Sequence, residues 1–228
     1  MRLEQIARIG SVNRGQPQHY QSHGRSYWSS IVKSLVAGPV AVGPEEILGD
    51  TQADRKNHGG LDKAVHAHFR SSLQFLSDLA GMPVTPGQIG VNLAWEEAPG
   101  TALVDESVVC IGDVYVIGSV VLEVSQPRIP CYKQAAQLGD QPGLIDDILS
   151  SGRTGVYLRV LEPGSLAVGE AVWLRARPHP EWPVQRVSAM ISGGDMRPAW
   201  EGLLNIPALG DGIREVARRR IGAKRPRY

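Results

Sequence analysis

Glycine and proline punctuate this chain so densely that no long helix can run through its first 177 residues. The sequence holds 26 glycines and 16 prolines in 228 residues. The first type relaxes the backbone and the second removes a hydrogen-bond donor. Between them lie short β-type runs: Ile6 to Val12, Ser30 to Val36, Ala64 to His68, Val114 to Ile117, Val120 to Val124, Val156 to Leu161 and Ala171 to Leu174. Such runs, bounded by turn residues at close spacing, predict a sheet or barrel. Two segments carry helical signs instead. Leu73, Leu76 and Leu79 recur at helical spacing within Arg70 to Leu79, and a second short helix is expected to start around Pro130.

The Pro-rich join Arg177 to Pro183 marks a change of character. Through Arg177 there are 15 basic and 18 acidic residues, and after it 9 basic and 5 acidic, so the charge reverses sign. Three helical segments follow: Val184 to Ile191, stopped by Gly193-Gly194; Pro198 to Leu204; and Ile213 to Ile221, stopped by Gly222. The expected fold is mainly β, a barrel with a few short helices over 1–177 followed by a small three-helix domain over 178–228. The basic tail, with Arg218 to Arg220 and Lys224, Arg225 and Arg227 beyond, suits a solvated helix end or a partner surface.

A net charge of +1 gives no global field for nucleic acid or acidic membrane. No run approaches the roughly 18 apolar residues of a membrane span, and the start lacks a signal-peptide pattern, so a cytoplasmic protein is expected. Two cysteines, Cys110 and Cys131, cannot build a disulfide framework. Cys110 lies in the apolar run Val108 to Ile111 and reads as packing.

Cys131 stands differently. It follows two prolines at the expected start of a helix, where unpaired N–H groups and the positive end of the dipole favour thiolate, with Arg128 and Lys133 on either side. Thiolate attacks electrophiles and ligates soft metals. In the segment Asp54 to Arg70, His58-Gly59-Gly60 permits a sharp turn beside Asp62 and Lys63, a pattern suited to holding an anion. His58, His66 and His68 with Asp62 lack familiar zinc spacing, and His66 and His68 read as polar residues on one face of a half-exposed strand. Asn92, among the glycines of Gly87 to Leu93, offers an amide, and Arg153 lies in a second anion-facing turn. Phosphate-loop, dinucleotide and serine-hydrolase motifs are absent from the sequence, and a metal-free cysteine enzyme lacks an identifiable base.

Taken in order, GDTQADRKNHGGLDKAVH, IGVNL, CIGDVY, VSQPRIPCYK and SGRTGVYLRVLEPG resemble the MOSC family, named for the C-terminal domain of molybdenum cofactor sulfurase. The likeness runs from Leu48 to Gly164, and the three-helix tail matches its YiiM-like branch. The resemblance implies a molybdenum cofactor of the molybdopterin type, bound through Cys131 as metal ligand. It implies an oxidoreductase that reduces N-hydroxylated compounds, hydroxylaminopurines among them, with electrons from a separate flavoprotein. Under it Cys131, His58 and Asn92 take catalytic positions, and Gly59, Gly60, Asp62, Lys63, Ser125, Arg128, Lys133 and Arg153 hold the cofactor. One departure stands out: Val91 occupies the place of the family's usual acidic residue in G-E-N-L. That change leaves open a carrier of cofactor or sulfur without its own turnover, and the oligomeric state, a homodimer included, is also open.

Overall fold

The computed structural model describes residues 3–22, 24–193 and 197–222. Its strands are β1 (Glu4–Arg14), β2 (Gln18–Ser22), β3 (Arg25–Ser29), β4 (Ser34–Leu35), β5 (Val40–Val42), β6 (Val65–Phe69), β7 (Leu93–Glu96), β8 (Val114–Ile117), β9 (Val120–Pro127), β10 (Val156–Glu162), β11 (Gly164–Leu166) and β12 (Ala171–Ala176). The helices are α1 (Arg55–His58), α2 (Arg70–Ala80), α3 (Tyr132–Gln137), α4 (Leu144–Ser151), α5 (Val184–Ser192), α6 (Arg197–Leu204) and α7 (Asp211–Gly222). Gly194 and the basic residues Lys224, Arg225 and Arg227 lie outside the described residues. Among those described, no helix is long and apolar enough to cross a membrane.

Seven strands close into a barrel in the order β12-β8-β9-β10-β6-β7-β1, and pairing of β1 with β12 completes the ring. Closure depends on β1. Its first half pairs with β12 and its second with β7, and register shifts after Gln5 and after Ile9 bend it from one partner to the other. β6 and β7 are parallel; the other pairs of the ring are antiparallel.

Alternation fills the interior. Ala7 and Ile9 of β1, Tyr115 and Ile117 of β8 and Leu158 of β10 are fully buried, and Trp95 meets Phe69 and Tyr115 edge to face. This apolar cluster does not stop at Arg177: Trp182, Val184, Val187, Trp200, Leu203 and Ile213 belong to it. Backbone bonds knit the join, with Ile111 N donating to Trp182 O at 3.0 Å and Val184 N to Val109 O at 2.8 Å. Arg177 grips Asp113 through Nε and Nη2, and Tyr115 Oη donates to the same carboxylate at 2.7 Å. A second apolar cluster under α2, α3 and α4 contains Leu76, Ile89, Leu138, Ile148 and Val91.

Three expectations are corrected. Of Ser30 to Val36 only Ser34–Leu35 is strand. The rest wraps Gly87, whose carbonyl accepts from Lys33 N at 2.7 Å and where a Cβ would lie 2.2 Å from Lys33 O. The helix after Pro130 starts at Tyr132, with Cys131 as an extended cap residue at φ −135° and ψ 167°, so the thiol precedes the first turn. β6 is buried along its whole length: Val65, Ala67 and Phe69 enter the barrel core while His66 and His68 are covered on the other face.

Candidate functional site

An open cavity lies against the outer face of β6 and β10, where His66 and Tyr157 point away from the barrel core. Its walls come from the segment after β3 (Ser29, Ser30, Ile31, Lys33), the approach to α1 (Asp50 to Asp54), and Lys63 and His66 at the start of β6. Arg128, Cys131 and Lys133 after β9 and Tyr157 on β10 line it too, with His58, Ile89, Gly90 and Asn92.

Cys131 reaches this cavity because β9 runs out at Pro127, and Arg128 N donates to Gly155 O at 3.1 Å, which holds the segment that follows against the start of β10. Arg128 is buried, with Nη2 3.8 Å from Cys131 Sγ and Nη1 without a hydrogen-bond partner among the described residues. Lys133 donates to Trp28 O at 3.2 Å and lies 5.7 Å and 6.0 Å from the ring centroids of Tyr27 and Tyr132. Lys63 donates to Asn57 O at 2.7 Å; burial lowers its pKa while Asp62 opposes the shift. Lys33 forms a buried ion pair with Asp50, whose carboxylate also accepts from Gly15 N at 2.7 Å and Asn92 Nδ2 at 2.9 Å.

The histidines are held neutral. Burial first, then the charge of Arg128, takes His58 down to about 4. Burial and Arg128 also place His66 well below the ordinary histidine range, and burial takes His68 to about 3. His66 Nδ1 donates to Gly90 O at 3.0 Å, which leaves Nε2 as a bare acceptor. His68 Nδ1 accepts from Phe69 N at 3.1 Å, so Nε2 carries the proton and has no partner among the described residues. Both rings press on Gly155, at φ +75°, where a Cβ would lie 2.8 Å from His66 Nε2 and 2.8 Å from His68 Cδ2.

Of the residues singled out in the sequence, Cys131, His58, Asn92, Lys63, Arg128 and Lys133 share this cavity. The amide of Asn92 is committed to the protein, accepting from His66 N at 3.0 Å and donating to Asn13 O and Asp50. Asp62, Ser125 and Arg153 do not line it. Asp62 clamps Arg159 and accepts from Asp211 N at 2.8 Å, tying the barrel to α7. The Ser125 hydroxyl points to the carbonyls of Asp62 and Tyr157. Arg153 stacks 5.4 Å from the Phe75 ring centroid. Gly59 spends its N–H on Arg55 O at 3.1 Å, and Gly60, at φ +92°, makes the turn into the next 3-10 segment; neither lines the cavity.

Sequence reasoning missed Lys33, Asp50, Ser30 and Tyr157. Lys33 sits inside an apolar run, where an unsupported charge is itself a signal of a buried partner. No group of three or more metal-ligating side chains gathers among the described residues, which leaves the zinc reading without support.

Fold and site together define a closed β-barrel that carries a cavity lined by cationic side chains, with a thiol in its wall. The chain belongs to the MOSC domain family, whose profile matches residues 54–173. It is 35% identical over 167 residues to the uncharacterized protein YflK of Bacillus subtilis, covering 73% of this chain and 72% of that one. It is 34% identical over 185 residues to a protein of Gibberella moniliformis named reductase, of which the match spans 31%. Among solved structures, YiiM from Geobacillus stearothermophilus superposes with a TM-score of 0.76 at 30% identity, covering 95% of this chain and 100% of that one.

Proposed function

We propose that the cavity binds a molybdenum cofactor of the molybdopterin type, with Cys131 as the protein's ligand to the metal, and that the protein reduces N-hydroxylated compounds with electrons from a separate flavoprotein. The observation that carries this reading is the coincidence, in one cavity, of the Cys131 thiol with three buried polar atoms that have no partner among the described residues: His66 Nε2, Arg128 Nη1 and Ser30 Oγ. Buried polar groups are paired with rare exceptions, so orphans lining a cavity stand open to a bound ligand or to water. Arg128, Lys63 and Lys133 suit a phosphate-bearing anion, and a thiol suits a soft metal. The relative named reductase agrees with redox chemistry.

Bound there, the cofactor supplies the two-electron chemistry that side chains lack. The chain's own residues position and discriminate. Lys63 and Lys133 are fixed by the carbonyls of Asn57 and Trp28, so their charges face the cavity at defined places. His58, neutral at pH 7, offers a ring nitrogen without adding charge. The Lys33–Asp50 pair and Asn92 brace the wall between the segment after β3 and the start of β6. The carrier reading drew on Val91, but that side chain packs in the second apolar cluster and not on the cavity, so its replacement of an acid says nothing of turnover.

The test is expression in a host that makes the cofactor, followed by molybdenum and pterin quantification and single-turnover reduction of a hydroxylaminopurine by dithionite-reduced protein. Wild type and Cys110→Ser are expected to retain metal and Cys131→Ser to lose it. Equal metal in the Cys131 variant would overturn the ligand assignment. Full metal in the wild type without N–O reduction would replace the oxidoreductase by a carrier.

A further inference from the structure

The turn that carries Lys63 into the cavity is held from behind. Lys63 ends the 3-10 turn Leu61–Lys63, which Gly60 opens at φ +92°. Its ammonium lines the cavity and donates to Asn57 O at 2.7 Å. The helix that supplies this carbonyl, α1, buries none of its own residues and is a weak support.

The stronger support comes from the preceding residue, Asp62. Its carboxylate turns away from the cavity and takes three donors: Nε of Arg159 at 3.0 Å, Nη2 of the same guanidinium, and Asp211 N at the start of α7 at 2.8 Å. Arg159, on β10, also donates from Nη1 to Glu123 of β9 at 2.6 Å. The Asp62 carbonyl accepts from Ser125 Oγ at 2.5 Å. One residue thus fastens the turn to two barrel strands and to a C-terminal helix. Glycine lets that helix come close. A Cβ on Gly210 would lie 2.4 Å from Gln126 Oε1 and 3.3 Å from Asp62 Oδ2, and one on Gly212 would lie 3.9 Å from Lys63 Nζ. The first turn of α7 therefore packs directly behind the cavity lysine, with Asp62 at its positive end.

We infer that Asp62 is a positioning residue that aims Lys63 at an anion in the cavity, and that through it the C-terminal helices set how tightly that anion is held. The role rests on the reading of the cavity as a site for a phosphate-bearing cofactor. Charge and position make opposite forecasts here. A carboxylate near an anion site opposes binding by Coulomb repulsion, so if Asp62 acted only through its charge, removing it would tighten the anion. If it aims Lys63, removing it loosens the anion, because the turn loses its anchor and the ammonium its fixed place.

The probe is inorganic pyrophosphate, titrated by calorimetry into the cofactor-free full-length chain. Lys63→Met is expected to weaken its binding about tenfold or more, the loss of one charged hydrogen bond, and Asp62→Ala to weaken it about tenfold. The double variant should bind no more weakly than Lys63→Met alone, since Asp62 acts through that lysine. Gly210→Ala keeps every charge but drives the start of α7 off the barrel. It should weaken pyrophosphate binding at least about threefold, and not at all once Lys63 is Met. Unaltered or tighter binding in Asp62→Ala, or additive losses in the double variant, overturns the role of Asp62 and leaves the phosphate site standing. A wild type that binds no pyrophosphate overturns the phosphate site and this role with it. Should Asp62→Ala fail to fold, Gly210→Ala carries the test, and wild-type affinity in that variant overturns the proposal.

Discussion

Replacing His68 by Asn removes one titration from the folded protein while keeping an acceptor for Phe69 N, so its effect on acid stability can be worked out from the structure. The folded pKa of His68 is about 3, below the ordinary 6.5 of an unfolded histidine. Between those values the unfolded chain holds a proton that the folded one does not. Stability is therefore fully present above pH 6.5 and falls as the pH drops towards 3, by about 1.4 kcal/mol per pH unit and about 2 kcal/mol from pH 7 to pH 5. His66 acts in the same sense, and His58, partly open to cavity water, acts more weakly. Glu106 acts oppositely: burial raises it to about 7, so folded protein gains stability as pH falls from 7 towards 4.5 and offsets roughly one histidine. Urea unfolding, followed by tryptophan fluorescence at several values from pH 7.5 to pH 5, is expected to show wild type losing about 2 kcal/mol more than His68→Asn over this range. Any loss of packing in the variant is independent of pH and drops out of the comparison. Parallel curves would refute a neutral, buried His68.

Gly155→Ala should destabilise by about 3 kcal/mol or more, since it adds a Cβ at positive φ against Ala67 O and both histidine rings; a thermal melt measures it. Arg177→Ala leaves Asp113, whose side chain is 0% exposed, without its ion pair, at a cost of about 3–5 kcal/mol in denaturant unfolding. A chain ended at Arg177 bares the apolar residues that Val184, Trp200 and Ile213 cover, and is expected to aggregate on expression without its helices. Val91→Glu puts a carboxylate into an apolar cluster, so it should lower the melting temperature without raising turnover.

What could be read from the sequence followed from how far each signal is local. The β8–β9 hairpin and α2 declare themselves by alternation and by leucine spacing, and the three C-terminal helices by their Gly and Pro boundaries. The β2–β3 hairpin mixes polar residues with an exposed Trp28 and has no such pattern, and β7 hides behind the glycines before Asn92. In the cavity, Cys131 and its basic neighbours were legible because reactive chemistry and charge are properties of residue type. Which way a charge faces is not. Asp62 turns to Arg159, almost a hundred residues on, and Arg153 to Phe75, and nothing adjacent in sequence records either choice. The burial of His66 and His68 likewise depends on elements that cover β6 from elsewhere in the chain.

The division of β1 between two partners has a consequence for how the protein is made. Residues Glu4 to Arg8 pair with Ala171 to Leu174, so the ring cannot shut until nearly the entire barrel sequence has left the ribosome. Until then residues Glu4 to Arg8 of β1 present an unpaired edge with Ala7 uncovered, and the final closure joins segments at great sequence distance, a slow step. Nascent chains are thus most exposed to aggregation during the interval before β12 appears, and a chaperone that shields the N-terminal strand would act on this stage of synthesis.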